Sequence, residues 1–240
     1  MNKKLNKKMK IDRRVTYYLM IDTETANTQL IDGKLWMNDA QVYDVGFAIV
    51  DRYGRVYVRF SVVVTEVFDG MADLMESAYY ANKIPQYHAQ LADGSRVRMT
   101  LMQVRRLILS LMEEYNVRAV IAHNARFDWN ALNVTQRYVT KSQYRYFFPY
   151  GTEIWDTMKM AHDVFAERPT YKRFCEKHGY MTKHKTPRPQ LTAEVLYRYL
   201  TNNPEFVEAH TGLEDVEIET QIFVACMAAH KKMRRKLWED

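Results

Sequence analysis

Four carboxylates and one histidine, spread over most of a 240-residue chain, are its most chemically informative residues. They are Asp22 and Glu24 in LMIDTETA, Asp128 in IAHNARFDWN, and His210 with Asp215 in AHTGLEDVEIET. Convergent carboxylates suit a hard divalent cation such as Mg²⁺, which takes oxygen ligands and keeps several waters. Two such ions about 3.5–4 Å apart can serve both the attacking and the leaving oxygen of a hydrolytic displacement. A histidine, whose ordinary pKa lies near 6.5, can take a proton from water near neutrality.

The local settings say how these groups could meet. Val15 to Ile21 is an apolar run that reads as a buried strand ending in Asp22 and Glu24. Residues two apart on a strand share a face, so both carboxylates can reach one metal centre. Asp128 follows a short strand (118–122) and a turn at His123-Asn124, in the first turns of a helix that would bring it back over the sheet edge toward Asp22. His210 and Asp215 are five apart, about 140° around a continuous helix. They converge only if His210 lies on a loop and Asp215 inside the helix, and Thr211-Gly212 supplies that break. Each piece also has a plainer reading: a solvated strand end, an acidic residue favoured at a helix N-terminus, a histidine that caps or packs. His123 reads as structural.

As an ordered set, these residues resemble the three motifs of the DEDDh (DnaQ-like) 3′–5′ exonucleases of the ribonuclease H-like superfamily, over roughly residues 15–230. The wording of the chain is similar to small exonuclease-like proteins encoded by bacteriophages. The sister branch has a tyrosine where this chain has Thr211, so the resemblance is to the histidine type. It implies hydrolysis of phosphodiester bonds at the 3′ ends of single-stranded DNA or RNA, releasing nucleoside 5′-monophosphates. It further implies two Mg²⁺ or Mn²⁺ ions held by Asp22, Glu24, Asp128 and Asp215, with His210 as general base. Thr25 would offer its backbone amide to the terminal 3′-hydroxyl, and Asn124 would hold the terminal nucleotide. Ile154 to Met158 resembles the family's strand and Asp-Thr-apolar turn after the second motif. Ala26-Asn27, in place of a small polar residue and glycine, and the stretch 66–97 depart from the pattern, and both bear on substrate positioning. Two other functions use similar residues: an inactive module that binds nucleic-acid ends, and a ribonuclease H-like endonuclease.

The elements needed to position these residues follow from periodicity. Residues 42–50 and 55–65 read as a hairpin turning at Asp51-Arg52-Tyr53-Gly54. Helices are expected near 71–83 (ending before Pro85), 99–115 (Met102, Leu107, Leu109 and Leu111 mostly core), 125–137, 157–166, 170–178, 191–202 and 213–229. Further strands fall near 118–122 and 153–155. This is an α/β pattern, and the resemblance implies the ribonuclease H-like fold, a central mixed sheet of about five strands flanked by helices.

At 47% hydrophobic residues the chain can bury a sizeable core, and carboxylates spanning the sequence must converge in one domain. The net charge of +6 is uneven: residues 1–14 carry +6 and residues 231–240 carry +3, leaving −3 on 15–230. The expected organisation is therefore a basic N-terminal tail (1–14), an exonuclease domain (15–230) and a basic C-terminal tail (231–240), with free, solubilising ends. Within the body, Arg168 to Arg188 is a cationic run that could meet phosphates or simply face water. Tyr138 to Tyr150 is the densest aromatic stretch, a base-stacking surface or a loop packed on the core. The apolar runs are far shorter than a membrane span, and a signal segment at the N-terminus would take Asp22 with it on removal. Two cysteines, Cys175 and Cys226, make no disulfide framework and suit a reducing cytoplasm. Cys175, His178 and His184 lack the second close pair that a zinc site needs.

Overall fold

Strand β1 (Tyr17–Ala26) organises the fold because its residues alternate between two apolar layers. Tyr17, Leu19 and Ile21 join one buried cluster, Tyr18 and Met20 the other. The computed structural model describes residues 11–26, 30–31, 34–35, 39–78, 81–143 and 145–239. Residues 1–10 of the basic N-terminal segment, Asn27 and Tyr144 lie outside them.

The chain continues through a small ribbon, β2 (Leu30–Ile31) and β3 (Lys34–Leu35), then β4 (Gln41–Asp51) and β5 (Val56–Val64). Two short helices, α1 (Thr65–Phe68) and α2 (Ala72–Ser77), a 3₁₀ turn (Ala81–Lys83) and α3 (Ile84–Asp93) lead to β6 (Val97–Met99). Then come α4 (Leu101–Glu114), β7 (Val120–Ala122), α5 (Arg126–Thr140), β8 (Ile154–Asp156), α6 (Thr157–Phe165), α7 (Pro169–His178), α8 (Ala193–Thr201) and α9 (Gly212–Ala228). The main sheet is mixed and six-stranded, in the order β6-β5-β4-β1-β7-β8. The β1-β4 and β4-β5 pairs are antiparallel; β5-β6, β1-β7 and β7-β8 are parallel. This is the α/β ribonuclease H-like architecture expected, with one more strand.

The differences have physical causes. Strand β6 has three residues and lies at the edge, too short for alternation to reveal. The helix expected over 71–83 is broken, and Pro85 opens α3 rather than closing its predecessor. Proline at the first helical turn forgoes an N–H that would lack an intrahelical partner anyway. In α4, started by a Thr100–Gln103 capping box, the fully buried stripe is Leu101, Val104 and Ile108. Leu107 and Leu111 only flank that core, and Met102 and Leu109 are partly exposed.

The C-terminal segment does not stand free. Arg235 O accepts from the Asp156 amide (2.8 Å), and the Leu237 amide donates to Ile154 O (2.9 Å), so the segment pairs with the outer edge of β8. Leu237 is 2% exposed. Arg234 is paired with Asp163 at 2.8 Å, and Lys159 donates to Leu237 O at 3.0 Å. A bare strand edge offers unpaired backbone groups, and this segment covers them.

Candidate active site

Asp22 and Glu24 stand mid-strand on the β1 face that α9 covers. Their β4 partners are Gly46 and Asp44, on the same face by register. Helix α9 approaches closely there because both surfaces are glycine. A Cβ built on Gly46 would sit 2.0 Å from the Gly212 carbonyl carbon, and one on Gly212 would sit 2.5 Å from the Gly46 nitrogen. Asp44, completely buried, accepts from the Gly212 amide (3.1 Å), from the Tyr87 hydroxyl (2.9 Å) and from the Arg96 guanidinium. The helix N-terminus is thereby seated over β4, and Asp215, in its first turn, faces Asp22 and Glu24. Carboxylate oxygens of these three residues all lie within 4.8 Å of one another.

Asp128 arrives from the other layer. The Leu19 amide bonds Ala119 O on the β7 side, so the Thr23 amide, two strand repeats further on, points the same way. Pairing with β7 is confined to Leu19 and Met20, and Asp128 takes the place of a missing strand. It accepts from the Thr23 amide at 3.0 Å and from the Thr23 hydroxyl at 2.8 Å. It therefore sits beside the carboxylate trio rather than inside the 4.8 Å cluster.

Two carboxylates escaped the sequence reading. Glu219 is one helical turn beyond Asp215 on α9, 3% exposed, and accepts from the His123 amide at 3.2 Å. The i,i+4 spacing from Asp215 was a usable signal. Glu208 places a carboxylate oxygen 3.6 Å from His210 Nδ1, and Glu208, His210 and Asp215 form a second potential ligand group.

His210 lies on the loop before α9 with φ of +52°, so the break needed between it and Asp215 is present. A left-handed conformation costs a non-glycine residue about 1–2 kcal/mol, and such strain gathers at functional sites. Lys83 donates to the carbonyls of Ala209 and His210, the latter at 3.2 Å, clasping the loop. His123 also lines the carboxylate cleft, and both its ring nitrogens are engaged, with Thr157 Oγ1 (2.9 Å) and Leu191 O (2.7 Å). Asn124, exposed and also left-handed at φ +59°, donates its amide to Asp156 Oδ1 at 3.1 Å. Thr25, Asn124 and His210 line the same cleft of about 390 Å³ as Asp22, Glu24 and Asp215.

The electrostatics are those of several carboxylates buried close together. Burial first, then Glu219 and the neighbouring carboxylates, push Asp22 well above the ordinary range. Burial and Asp215 push Glu24 up to about 9, and burial and Glu208 push Asp215 up to about 8. Burial raises Asp128 to about 7 against the pull of its Thr23 bonds. Burial, then the Lys83 charge, hold His210 below the usual histidine value. Among the described residues, Asp22 Oδ2 and Asp215 Oδ1 are buried with no hydrogen-bond partner. Unpartnered buried carboxylate oxygens are costly unless something compensates them, and this oxygen-only set fits a hard divalent cation.

Several solved structures share this fold. The nuclease domain of 3′hExo, a DEDDh family member bound to rAMP, superposes with a TM-score of 0.58 at 13% identity, covering 93% of this chain and 98% of that one. A 3′-exonuclease described for 3′-end-specific recognition of a histone mRNA stem-loop gives 0.56 at 12% identity, over 92% of this chain and 85% of that one. The zinc-bound E. coli ExoI–ssDNA complex gives 0.52 at 15% identity, over 90% of this chain but 41% of that one. No protein-family model matches the sequence, and no curated protein matches it.

Proposed function

We propose that the protein is a metal-dependent 3′–5′ exonuclease acting on single-stranded nucleic acid. The observation that carries the reading is the convergence of Asp22, Glu24 and Asp215 within 4.8 Å, with two of their oxygens buried and unpartnered among the described residues. The order of the sequence motifs and the shared fold with DEDDh exonucleases support it.

Asp22, Glu24 and Asp215 would hold divalent cations, Mg²⁺ or Mn²⁺, with Asp128, buried and held by Thr23, as the further ligand beside them. Two such ions would polarise the scissile phosphate, lower the pKa of the attacking water and neutralise the leaving oxygen. The remaining steps belong to the chain itself. His210, whose cationic form burial and Lys83 disfavour, takes the proton of the attacking water. The loop clasp from Lys83 fixes where that imidazole stands. Thr25 and Asn124 line the cleft where the terminal nucleotide would lie. The buried seat of α9 on Gly46 and Asp44 keeps Asp215 in place while substrate enters and leaves.

The test is polarity and end dependence. A 5′-labelled single strand with Mg²⁺ or Mn²⁺ should give a descending ladder that a 3′-phosphate blocks and chelation abolishes. A closed circular single strand cut at a comparable rate would replace this reading with an endonuclease. Binding of 3′ ends with no hydrolysis in either metal would replace it with a binding module.

A further inference from the structure

The carboxylate cleft does not end at Asn124. A second depression, about 430 Å³, shares Asn124 and Met158 with it and has Arg126, Lys159, Arg234 and Leu237 in its walls. A third, about 770 Å³, shares His162 and Leu191 with the second and ends at Lys172, His184 and Arg188. The far end belongs to the loop closed by the Met181–Pro189 bridge, inside the cationic run 168–188. The three depressions thus adjoin through shared residues, and together they outline a trough from the carboxylates, along α6 and the docked C-terminal segment, to that loop.

Its chemistry changes along the way. The cleft end gathers carboxylates that repel a polyanion, so a nucleic-acid backbone must be held by cations further out. Asp156 and Asp163 lie along the trough but are already engaged: Asp156 Oδ1 accepts the Asn124 and Met158 amides (3.1 and 2.9 Å), and Asp163 pairs with Arg234. At the far end Glu167 pairs with Lys172, and Glu176 also lines the wall. Lys159 is bonded to the carbonyl oxygens of Leu237 and Glu239, which are neutral acceptors. Of the cations of the docked segment, Arg234 lines the second depression, and Arg235 lies over the Trp155 ring at 5.2 Å. Beside Arg126 stands Trp238, 63% exposed, edge-on to Trp129 at 6.2 Å and with the Arg126 guanidinium 5.5 Å from its ring. A large exposed indole next to a cation is what a single strand uses: a face for a base and a charge for its phosphate.

We propose that this trough is the track for the single strand on the 5′ side of the bond to be cut, with its phosphates toward Arg126, Lys159 and Arg188 and a base on Trp238. The inference rests on the nuclease reading for its direction. The C-terminal basic segment then has a role, closing the β8 edge and forming one wall of the track.

Binding is measured in EDTA by anisotropy with 5′-fluorescein oligothymidylate and oligouridylate of about 12 nucleotides, a length within the range single-strand binders occupy. Hydrolysis of the same oligomers is compared with that of a labelled dinucleotide in Mg²⁺. Arg126→Ala/Arg188→Ala, both exposed positions, should weaken oligomer binding by about tenfold and make the log–log salt dependence shallower by about 1.4, since each lost phosphate contact on a single strand contributes about 0.7. Trp238→Ala should weaken it by about tenfold with little change in salt slope. Dinucleotide hydrolysis should stay at the wild-type rate in both variants, and unchanged melting curves certify their folding. Oligomer affinity unchanged in both variants, or dinucleotide and oligomer rates falling equally, would overturn the track. If the wild type hydrolyses neither substrate, the nuclease reading fails, while the anisotropy data still decide whether the trough holds a strand.

Discussion

Glu24→Gln should make the metal-free protein more stable, which is unusual for a substitution at a buried position. Glu24 is 9% exposed, and burial and Asp215 raise its pKa from 4.5 to about 9. The folded state therefore holds a proton on Glu24 that the unfolded chain releases, between pH 4.5 and about 9. In that window stability falls as pH rises, because the unfolded state binds fewer protons. At pH 7 the gap is 2.5 units from the unfolded value of 4.5, which at 1.36 kcal/mol per unit is about 3 kcal/mol. Glutamine removes this penalty and keeps the shape, so the variant should gain up to about 3 kcal/mol in EDTA at pH 7, raising the melting temperature by about 6–12 °C for a chain of this size. At pH 4 both states are protonated and the gain should vanish. With Mg²⁺ or Mn²⁺ the order should reverse, because only the wild type keeps the full ligand set. The assay is thermal denaturation of both proteins at pH 4 and pH 7, with EDTA and with divalent cation. A variant no more stable than wild type at pH 7 in EDTA, or equally stabilised by the cation, would refute the reading of Glu24 as a buried cation ligand.

Asp22→Asn, Asp128→Asn and Asp215→Asn should each abolish cation-dependent hydrolysis with the fold intact, and near-wild-type turnover in any of them would remove that residue from the site. His210→Ala should lose about 10²–10⁴-fold in turnover, the usual worth of a positioned base, while still binding cation and oligonucleotide; a stable, fully active variant would take the histidine out of the mechanism. Gly46→Ala places a methyl 2.0 Å from the Gly212 carbonyl carbon, so α9 must shift; a loss of about 1–3 kcal/mol by denaturant titration should accompany a large drop in turnover, and a variant unchanged in both would mean the close approach does not seat Asp215.

Residue order alone carries the features whose information is local. Alternation in Tyr17 to Ile21 is a consequence of a strand between two apolar layers, so β1 and the face shared by Asp22 and Glu24 are legible from the amino-acid pattern. The helix with Val216, Ile218, Ile222, Phe223 and Cys226 on its buried side, and the break at Thr211-Gly212 that frees His210, are legible for the same reason. Together with the motif order, these carry the fold class and the candidate residues.

How those residues meet depends on contacts between distant segments. Gly46 and Gly212 are far apart in the chain, and neither has a side chain whose pattern could announce the contact that sets α9 on the sheet. Asp44 reads as one more polar residue in a strand until its three bonds to Gly212, Tyr87 and Arg96 are assembled. Asp128 is held by the Thr23 amide because β7 stops short, a fact about strand pairing rather than composition. The C-terminal cations read as a free tail because charge is counted residue by residue, whereas docking depends on the burial of Met233 and Leu237, on the Arg234–Asp163 pair and on an open strand edge that only the folded sheet presents.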